Sequence, residues 1–147
     1  MARVYSFGFI EFDKMLEQLA YIPDNTKKDM VKAAAEVYKK VTQKTATQRL
    51  ASGENFKTGR KLGRYTTGHT ANRVKVRRQG TKAYVTWDHK VRHAKGVTDA
   101  DVAFFNEYGV PGRGIPARPF IAQAVQEGLV DAYDAALTEL DKFIDKL

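Results

Sequence analysis

The segment "FNEYGVPGRGIPARPF", residues 105–120, decides how the second half of this chain is organised. It holds three glycines, three prolines and two arginines between aromatic residues. A glycine-rich phosphate loop needs an apolar strand before it and a Lys-Ser or Lys-Thr after it, and both are missing here. Pro119 suits the first turn of a helix, where no backbone N–H is needed. We therefore predict a stiff connector into a final helix, with an anion site at that helix N-terminus as the alternative.

The sequence after the connector predicts a long amphipathic helix of about seven turns, because apolar residues recur every three or four positions. These residues are Ile121, Val125, Leu129, Ala132, Ala136, Leu140, Phe143 and Leu147. The earlier half of the chain carries a second stripe of this kind, formed by Met30, Ala34, Val37, Val41 and Thr45. It predicts a helix that ends near Ala51, with Thr26 and Asp29 spaced like a capping box at its start.

The remaining segments predict strands, a short helix and loops. "RVYSFGF" (residues 3–9) has the composition of a strand, and residues 12–19 have the apolar spacing of a short helix. Residues 53–70 are glycine-rich and predict a long mobile loop. "ANRVKVRR" and "KAYVTWDH" alternate apolar and polar residues around "QGT", which predicts a hairpin. For residues 91–109, which follow the hairpin, we expect an exposed loop and then a short segment at 102–108 that buries its aromatic residues.

This order of elements predicts one α+β domain over residues 1–147. We expect a small antiparallel sheet packed against a long helix in the N-terminal half and a long C-terminal helix. At 147 residues and 43% hydrophobic composition the chain is long enough to bury a core. It has no cysteine, which excludes disulfides and thiolate chemistry. With no apolar run of about 18 residues and acids near the start, we expect a soluble, unexported protein without membrane contact.

The net charge of +8 is unevenly distributed along the chain. Residues 1–56 carry +2, residues 57–95 carry +11, and residues 96–147 carry −5. The basic middle holds the candidate contacts for DNA or an acidic partner: Lys57, Arg60, Lys61, Arg64, Arg73, Lys75, Arg77 and Arg78. A merely solvated strand face is the alternative. No motif for reading bases accompanies these residues, so any DNA binding is expected to be non-specific.

The histidines do not form a catalytic or metal-binding pattern. His89 and His93 have a spacing that suits two metal ligands on a helix, but they follow a strand and lie among Lys90 and Arg92. His69 has no obvious partner in the sequence, and Asp99 and Asp101 precede "VAFF" as turn caps. We expect no catalytic residue, no metal and no cofactor, and hence no enzymatic activity.

The stretch "FFNEYGVPGRGIPARPFIAQAVQE", residues 104–127, resembles the gene-product-ten-like family of small tail components of long-tailed phages and prophages. Members show Glu-aromatic-Gly, a short loop, and Ala-Arg-Pro-Phe opening a C-terminal helix. The matching residues here are Glu107, Tyr108, Gly109, Ala117, Arg118, Pro119 and Phe120. The first strand and the Ala-rich helix are also similar. Thr67–Gly68, or alternatively Thr58–Gly59, stands where the family has a Thr-Gly before its hairpin.

The resemblance implies a structural protein of virion morphogenesis at the head–tail joint or tail end, without catalysis. Such neck and tail-completion proteins act as rings of identical subunits, which implies self-association, contact with other head–tail connector or tail proteins, and a location in the virion after assembly in the host cytoplasm. The structural and interface residues are expected to be Glu107, Tyr108, Gly109, Arg113, Arg118, Pro119 and Phe120. We also predict that Arg118 is partly buried and donates to backbone carbonyls or to Glu107.

Overall fold

The structure, a computed structural model, describes residues 21–51, 53–54, 68–92 and 96–146. Within these ranges it contains the helices α1 (Asp24–Arg49), α2 (His69–Asn72), α3 (Asp99–Tyr108) and α4 (Phe120–Asp145), the strands β1 (Lys75–Gln79) and β2 (Lys82–Thr86), and a 3-10 turn at Pro111–Arg113. A two-stranded antiparallel sheet packed against two long helices confirms the predicted α+β class. The strand predicted at 3–9 and the helix predicted at 12–19 lie outside the described residues.

The two long helices, α1 and α4, form the frame of the molecule. They run antiparallel, since Thr45 of α1 meets Phe120 at the start of α4, and Tyr38, about two turns earlier in α1, lies beside Gly128, about two turns later in α4. The face of α4 against α1 carries Ala124, Gly128 and Ala132, all buried. A Cβ at Gly128 would lie 3.1 Å from Cδ1 of Tyr38, so the small residues set how closely the helices approach.

The N-terminus of α1 differs from the prediction of a capping box. The helix begins at Asp24 directly after Pro23, and no side chain caps it. Thr26 and Asp29 therefore lie inside the helix, and the predicted box is wrong. Asp24 in the first turn and Arg49 in the last turn place charges that favour the helix dipole. An Ala-rich sequence with high helix propensity supports the body of α1.

The hairpin has the predicted strands but a later start. Lys75 pairs with Thr86, Val76 with Val85 and Arg78 with Ala83. Residues 71–72, predicted as strand, belong to α2, and Arg73 follows that helix. The strand reading of this stretch was wrong because Thr70 and Ala71 are buried in a helical turn that alternation alone does not reveal.

Helix α3 begins with a capping box, in which the Thr98 side chain accepts from the backbone N–H of Asp101 and the Asp101 side chain accepts from that of Thr98. The expectation that this segment buries its aromatic residues is wrong for two of them. Phe104 and Tyr108 are 56% and 64% exposed, because the buried face of α3 is formed by Val102, Ala103, Asn106 and Glu107.

The core lies where α1, the hairpin, α3 and the start of α4 meet. Its buried cluster comprises Ala46, Leu50, Ala71, Val74, Trp87, Ala103 and Phe120. The rings of Trp87 and Phe120 meet edge to face with centroids 5.8 Å apart, a favourable aromatic geometry. None of the described helices combines the length and apolarity that a membrane span requires.

Candidate functional site

The loop between α3 and α4 is held at its base by Glu107. This carboxylate is buried, and it accepts hydrogen bonds from the backbone N–H groups of Ile121 at 2.7 Å and Ala122 at 3.1 Å. The adjacent N–H groups of Phe120 and Gln123 donate to the carbonyls of Arg118 and Pro119. The first four N–H groups of α4 are therefore all satisfied within the chain. The anion site considered as an alternative for this N-terminus is wrong, because a carboxylate of the protein occupies it.

Gly109 allows the chain to turn back from α3. Its φ of 70° and ψ of −179° lie in a region that only glycine adopts readily. A Cβ there would lie 2.6 Å from the Ile115 carbonyl oxygen and 2.7 Å from the Ala117 nitrogen. Val110 and Ile115 close the loop by exchanging backbone hydrogen bonds of 2.9 and 3.1 Å. The glycine is thus required by backbone packing.

Arg118 links this loop to the end of α1. Its guanidinium is partly buried and donates to the backbone carbonyl of Gly53, while its own N–H donates to the Asn106 carbonyl at 2.7 Å. Of the two partners predicted for Arg118, the structure has a backbone carbonyl, and Glu107 binds helix N–H groups. A charge-assisted hydrogen bond of this kind contributes about 1.5–3 kcal/mol when it is buried.

A second buried carboxylate, Glu54, was missed at the sequence level. It accepts from the backbone N–H of Thr70 at 2.7 Å, from the hydroxyl of the same residue, and from Nδ2 of Asn106 at 3.5 Å. The indole of Trp87 donates to the Thr70 carbonyl at 2.9 Å. A buried charge needs such partners. Both ends of the predicted 53–70 loop are fixed by these contacts, while its residues 55–67 lie outside the described ranges.

We call the buried or partly buried polar residues Glu54, Thr70, Asn106, Glu107 and Arg118 the loop root. Next to it, His69 lies 2.9 Å from the carboxylate of Asp99, which is 3% exposed. The expectation that His69 has no partner is wrong, since α2 and α3 bring it against a residue 30 positions away. Asp99 was expected to cap a turn, and that role falls to Asp101.

The other residues of the predicted interface set divide between core and surface. Phe120 is fully buried, and Pro119 directly precedes α4 at the N-cap position. Tyr108 is exposed and its ring lies 4.8 Å from that of Phe104. Arg113 is exposed at the tip of the loop, within the 3-10 turn. Tyr108 and Arg113 are therefore accessible to a partner, whereas Glu107, Gly109 and Phe120 act inside the subunit.

The described part of the basic segment is a surface feature. Arg73, Lys75, Arg77 and Arg78 are all exposed. Because strand side chains alternate between faces, Lys75 and Arg77 share one face of the hairpin with Tyr84, and Arg78 lies on the other face opposite Ala83. The remaining candidates, Lys57, Arg60, Lys61 and Arg64, lie outside the described residues.

An open apolar groove of about 500 Å³ runs along α1 beside the hairpin. It is formed by Val31, Ala34, Ala35, Tyr38 and Thr42 of α1, by residues 83–85 and Trp87 of the hairpin region, and by Ile121 and Val125 of α4. Almost every side chain in this groove is apolar. Pockets of such composition bind apolar ligands or the side chains of a partner.

Within the described ranges, no cluster of three or more His, Cys, Asp or Glu side chains is arranged to hold a metal ion. His93, one of the two histidines weighed as ligands, lies outside those ranges, and His89 is exposed. Comparison with protein-family models, with curated proteins and with solved structures finds no match for this chain.

Proposed function

We propose that this protein is a structural subunit of virion morphogenesis that self-associates as a ring at the head–tail joint or tail end of a long-tailed phage or prophage. The observation that carries the proposal is a second apolar face on α4. Leu129, Val130, Tyr133 and Ile144 are each more than half exposed. An apolar helix face of this length is stabilised when another surface covers it.

The resemblance at residues 104–127 supports the virion setting of this self-association. Three of the residues that carry the resemblance have a physical role within one subunit, because Glu107, Gly109 and Arg118 fix the direction in which α4 leaves the loop. A subunit whose long helix is held at a fixed angle presents the same surface in every copy. Symmetric assembly depends on such identical surfaces.

The proposal is tested by deleting the gene from the phage or prophage that encodes the chain and examining the lysate by electron microscopy. We expect heads and tails that fail to join, or tails whose ends are defective. Infectivity should be restored when the intact chain is supplied from a plasmid. The intact chain is the control for a variant that carries both Leu129→Asp and Tyr133→Asp. This variant should fail to restore infectivity. Normal infectious particles after deletion would contradict the proposal.

A second function, non-specific binding of nucleic acid, is supported by the outer face of the hairpin. Lys75 and Arg77 lie there together with Tyr84, and such a face can neutralise phosphates and stack a base. Fluorescence anisotropy with labelled DNA tests it. Binding through this face should weaken steeply as salt rises and should weaken further in a Lys75→Ser, Arg77→Ser variant. Salt-insensitive binding would count against this function.

A further inference from the structure

We infer that the groove along α1 receives the exposed apolar face of α4 from a second copy of this chain, so that copies join head to tail. The inference rests on the self-association proposed above and names the two surfaces that meet. We call Leu129, Val130, Tyr133 and Ile144 the outer stripe. Its partner is the groove of a neighbouring subunit, formed chiefly by α1 and the hairpin.

The outer stripe lies on the side of α4 that points away from α1. At about 100° per residue in an α-helix, its four members fall within an arc of about 100°. The buried residues Ala124, Gly128 and Ala132 lie on average about 150° from the centre of that arc. The helix therefore carries one apolar face that packs against α1 and another whose side chains are more than half exposed in the described part of the structure.

The outer stripe cannot fill the groove of its own subunit. Val125 is part of the groove wall, and the stripe begins one turn later at Leu129 and continues along a rigid helix to Ile144. A second copy of the chain supplies a helix of fitting size. The groove extends over about 16 Å of α1 from Val31 to Thr42, and the stripe over about 22 Å of α4.

Charge favours the same pairing. On the groove side, Arg78 lies directly opposite Ala83 and therefore on the hairpin face that lines the groove, and its side chain is exposed. On the stripe side, Asp134 and Asp141 are exposed and border one edge of the arc. A helix with apolar anchors in a groove and opposite charges at the margin is a recurrent mode of recognition.

The two surfaces are different parts of the chain, which makes the contact heterologous. Each subunit then offers one groove and one stripe, and repetition of the contact gives a closed ring when the rotation closes. A two-fold symmetric dimer would instead bring the same surface of both subunits together. This difference makes the inference testable separately from self-association.

The test uses two single variants of the full chain, whose mass is measured by light scattering over a range of concentrations. Ala34→Glu places a charge in the groove, and Ala33→Glu is its control on another side of α1. Tyr133→Asp places a charge in the outer stripe, and Thr138→Asp is its control on α4. We expect Ala34→Glu and Tyr133→Asp each to raise the protein concentration at which half of the chains are assembled by tenfold or more. The two controls should assemble at the same concentration as the unchanged chain.

Mixing the two defective variants gives the decisive result. The Tyr133→Asp subunit keeps an intact groove and the Ala34→Glu subunit keeps an intact stripe, so a 1:1 mixture should form dimers and nothing larger. A mixture that remains monomeric would overturn the head-to-tail contact.

Two further outcomes would also overturn the inference. If Ala34→Glu melts at a lower temperature yet assembles normally, the groove is filled from within one subunit. If both variants assemble like the unchanged chain, self-association uses other surfaces, and the proposed ring survives without this interface. An unchanged chain that stays monomeric under every condition would instead remove the self-association on which the inference rests.

Discussion

The loop root and the groove differ in how far one subunit satisfies its own surfaces. At the loop root, two buried carboxylates receive hydrogen bonds from Ile121, Ala122, Thr70 and Asn106, all within one chain. At the groove, apolar side chains of α1 and the hairpin face an open space. Buried polar groups cost free energy unless they are paired, so the root has to be completed on folding. An apolar groove can stay open until a partner arrives.

This difference separates two kinds of residue that the sequence presents side by side. Residues of the loop root are expected to control the free energy of unfolding of one subunit. Residues of the groove and the outer stripe are expected to control association and to leave the unfolding of a monomer nearly unchanged. Substitutions at and near the loop root, taken from the largest expected effect to the smallest, test the first half of that distinction.

The largest effect is expected for Gly109→Ala. The added Cβ meets three backbone atoms within 3 Å, and the φ of 70° is unfavourable for alanine. Strain of about 1–3 kcal/mol adds to overpacking of similar size, so we expect a loss of about 3 kcal/mol in the free energy of unfolding. Urea denaturation of the monomer measures it. Gly112→Ala is the control, because a Cβ there meets open space, and a loss equal to that of Gly109→Ala would refute the packing argument.

A smaller loss is expected for Glu107→Ala, which removes the acceptor of two N–H groups at the start of α4. Loss of a helix cap costs about 0.5–2 kcal/mol in the free energy of unfolding. Because the Glu107 carboxylate is buried, we expect a loss near the upper end of this range, about 2 kcal/mol. Circular dichroism during thermal unfolding measures it. Glu127→Ala, an exposed site on the same helix, should change stability by less than about 0.5 kcal/mol. Equal effects at the two glutamates would contradict the capping role.

Arg118→Ala is expected to cost about 1.5 kcal/mol, because it removes the hydrogen bond to Gly53 in a partly buried setting. Arg113→Ala, at the exposed tip of the same loop, is the matched control and should leave the unfolding midpoint unchanged. The comparison is made by chemical denaturation of both variants in parallel. Should Arg118→Ala match its control, the link between the loop and the end of α1 carries no stability.

The smallest effect concerns Asp88 after the hairpin. A hydrogen bond from the backbone N–H of Lys90 lowers the pKa of this carboxyl, and the N–H of Val91 and the charge of Lys75 act in the same direction. A lowered folded-state pKa stabilises the protein above the unfolded value, and the stabilisation is lost as the pH falls through the folded value. NMR titration should place the Asp88 midpoint below that of an aspartate in an unstructured peptide. A midpoint at or above that value would contradict the assignment.

The sequence predicts the parts of the fold that depend on local periodicity. The stripe from Ile121 onward marks α4, and alternation around Val76 and Val85 marks the hairpin, because each pattern reflects neighbours three, four or two residues apart. Polar partnerships follow no such rule. Glu54 meets Thr70 sixteen positions away, and Glu107 meets Ile121 fourteen positions away. No pattern in the intervening residues indicates these contacts.

The candidate site shows the same division. Sequence reasoning named Glu107 and Arg118, and it named a backbone carbonyl as one possible partner of the arginine, but it did not anticipate that Glu107 caps α4. It also identified the apolar period of α4 without revealing that Leu129 and Tyr133 remain exposed. Which side of a helix its own subunit covers depends on how α1 and α4 cross, and that is a property of the packed structure.

The mass of the unchanged chain in solution tests the central claim most directly. Light scattering as a function of concentration should give a multiple of 16.5 kDa that reaches a plateau, the behaviour of a closed assembly with a fixed number of subunits. Adding the neighbouring virion proteins should lower the concentration at which the plateau is reached. A mass of 16.5 kDa at every concentration, with and without those partners, would contradict the account.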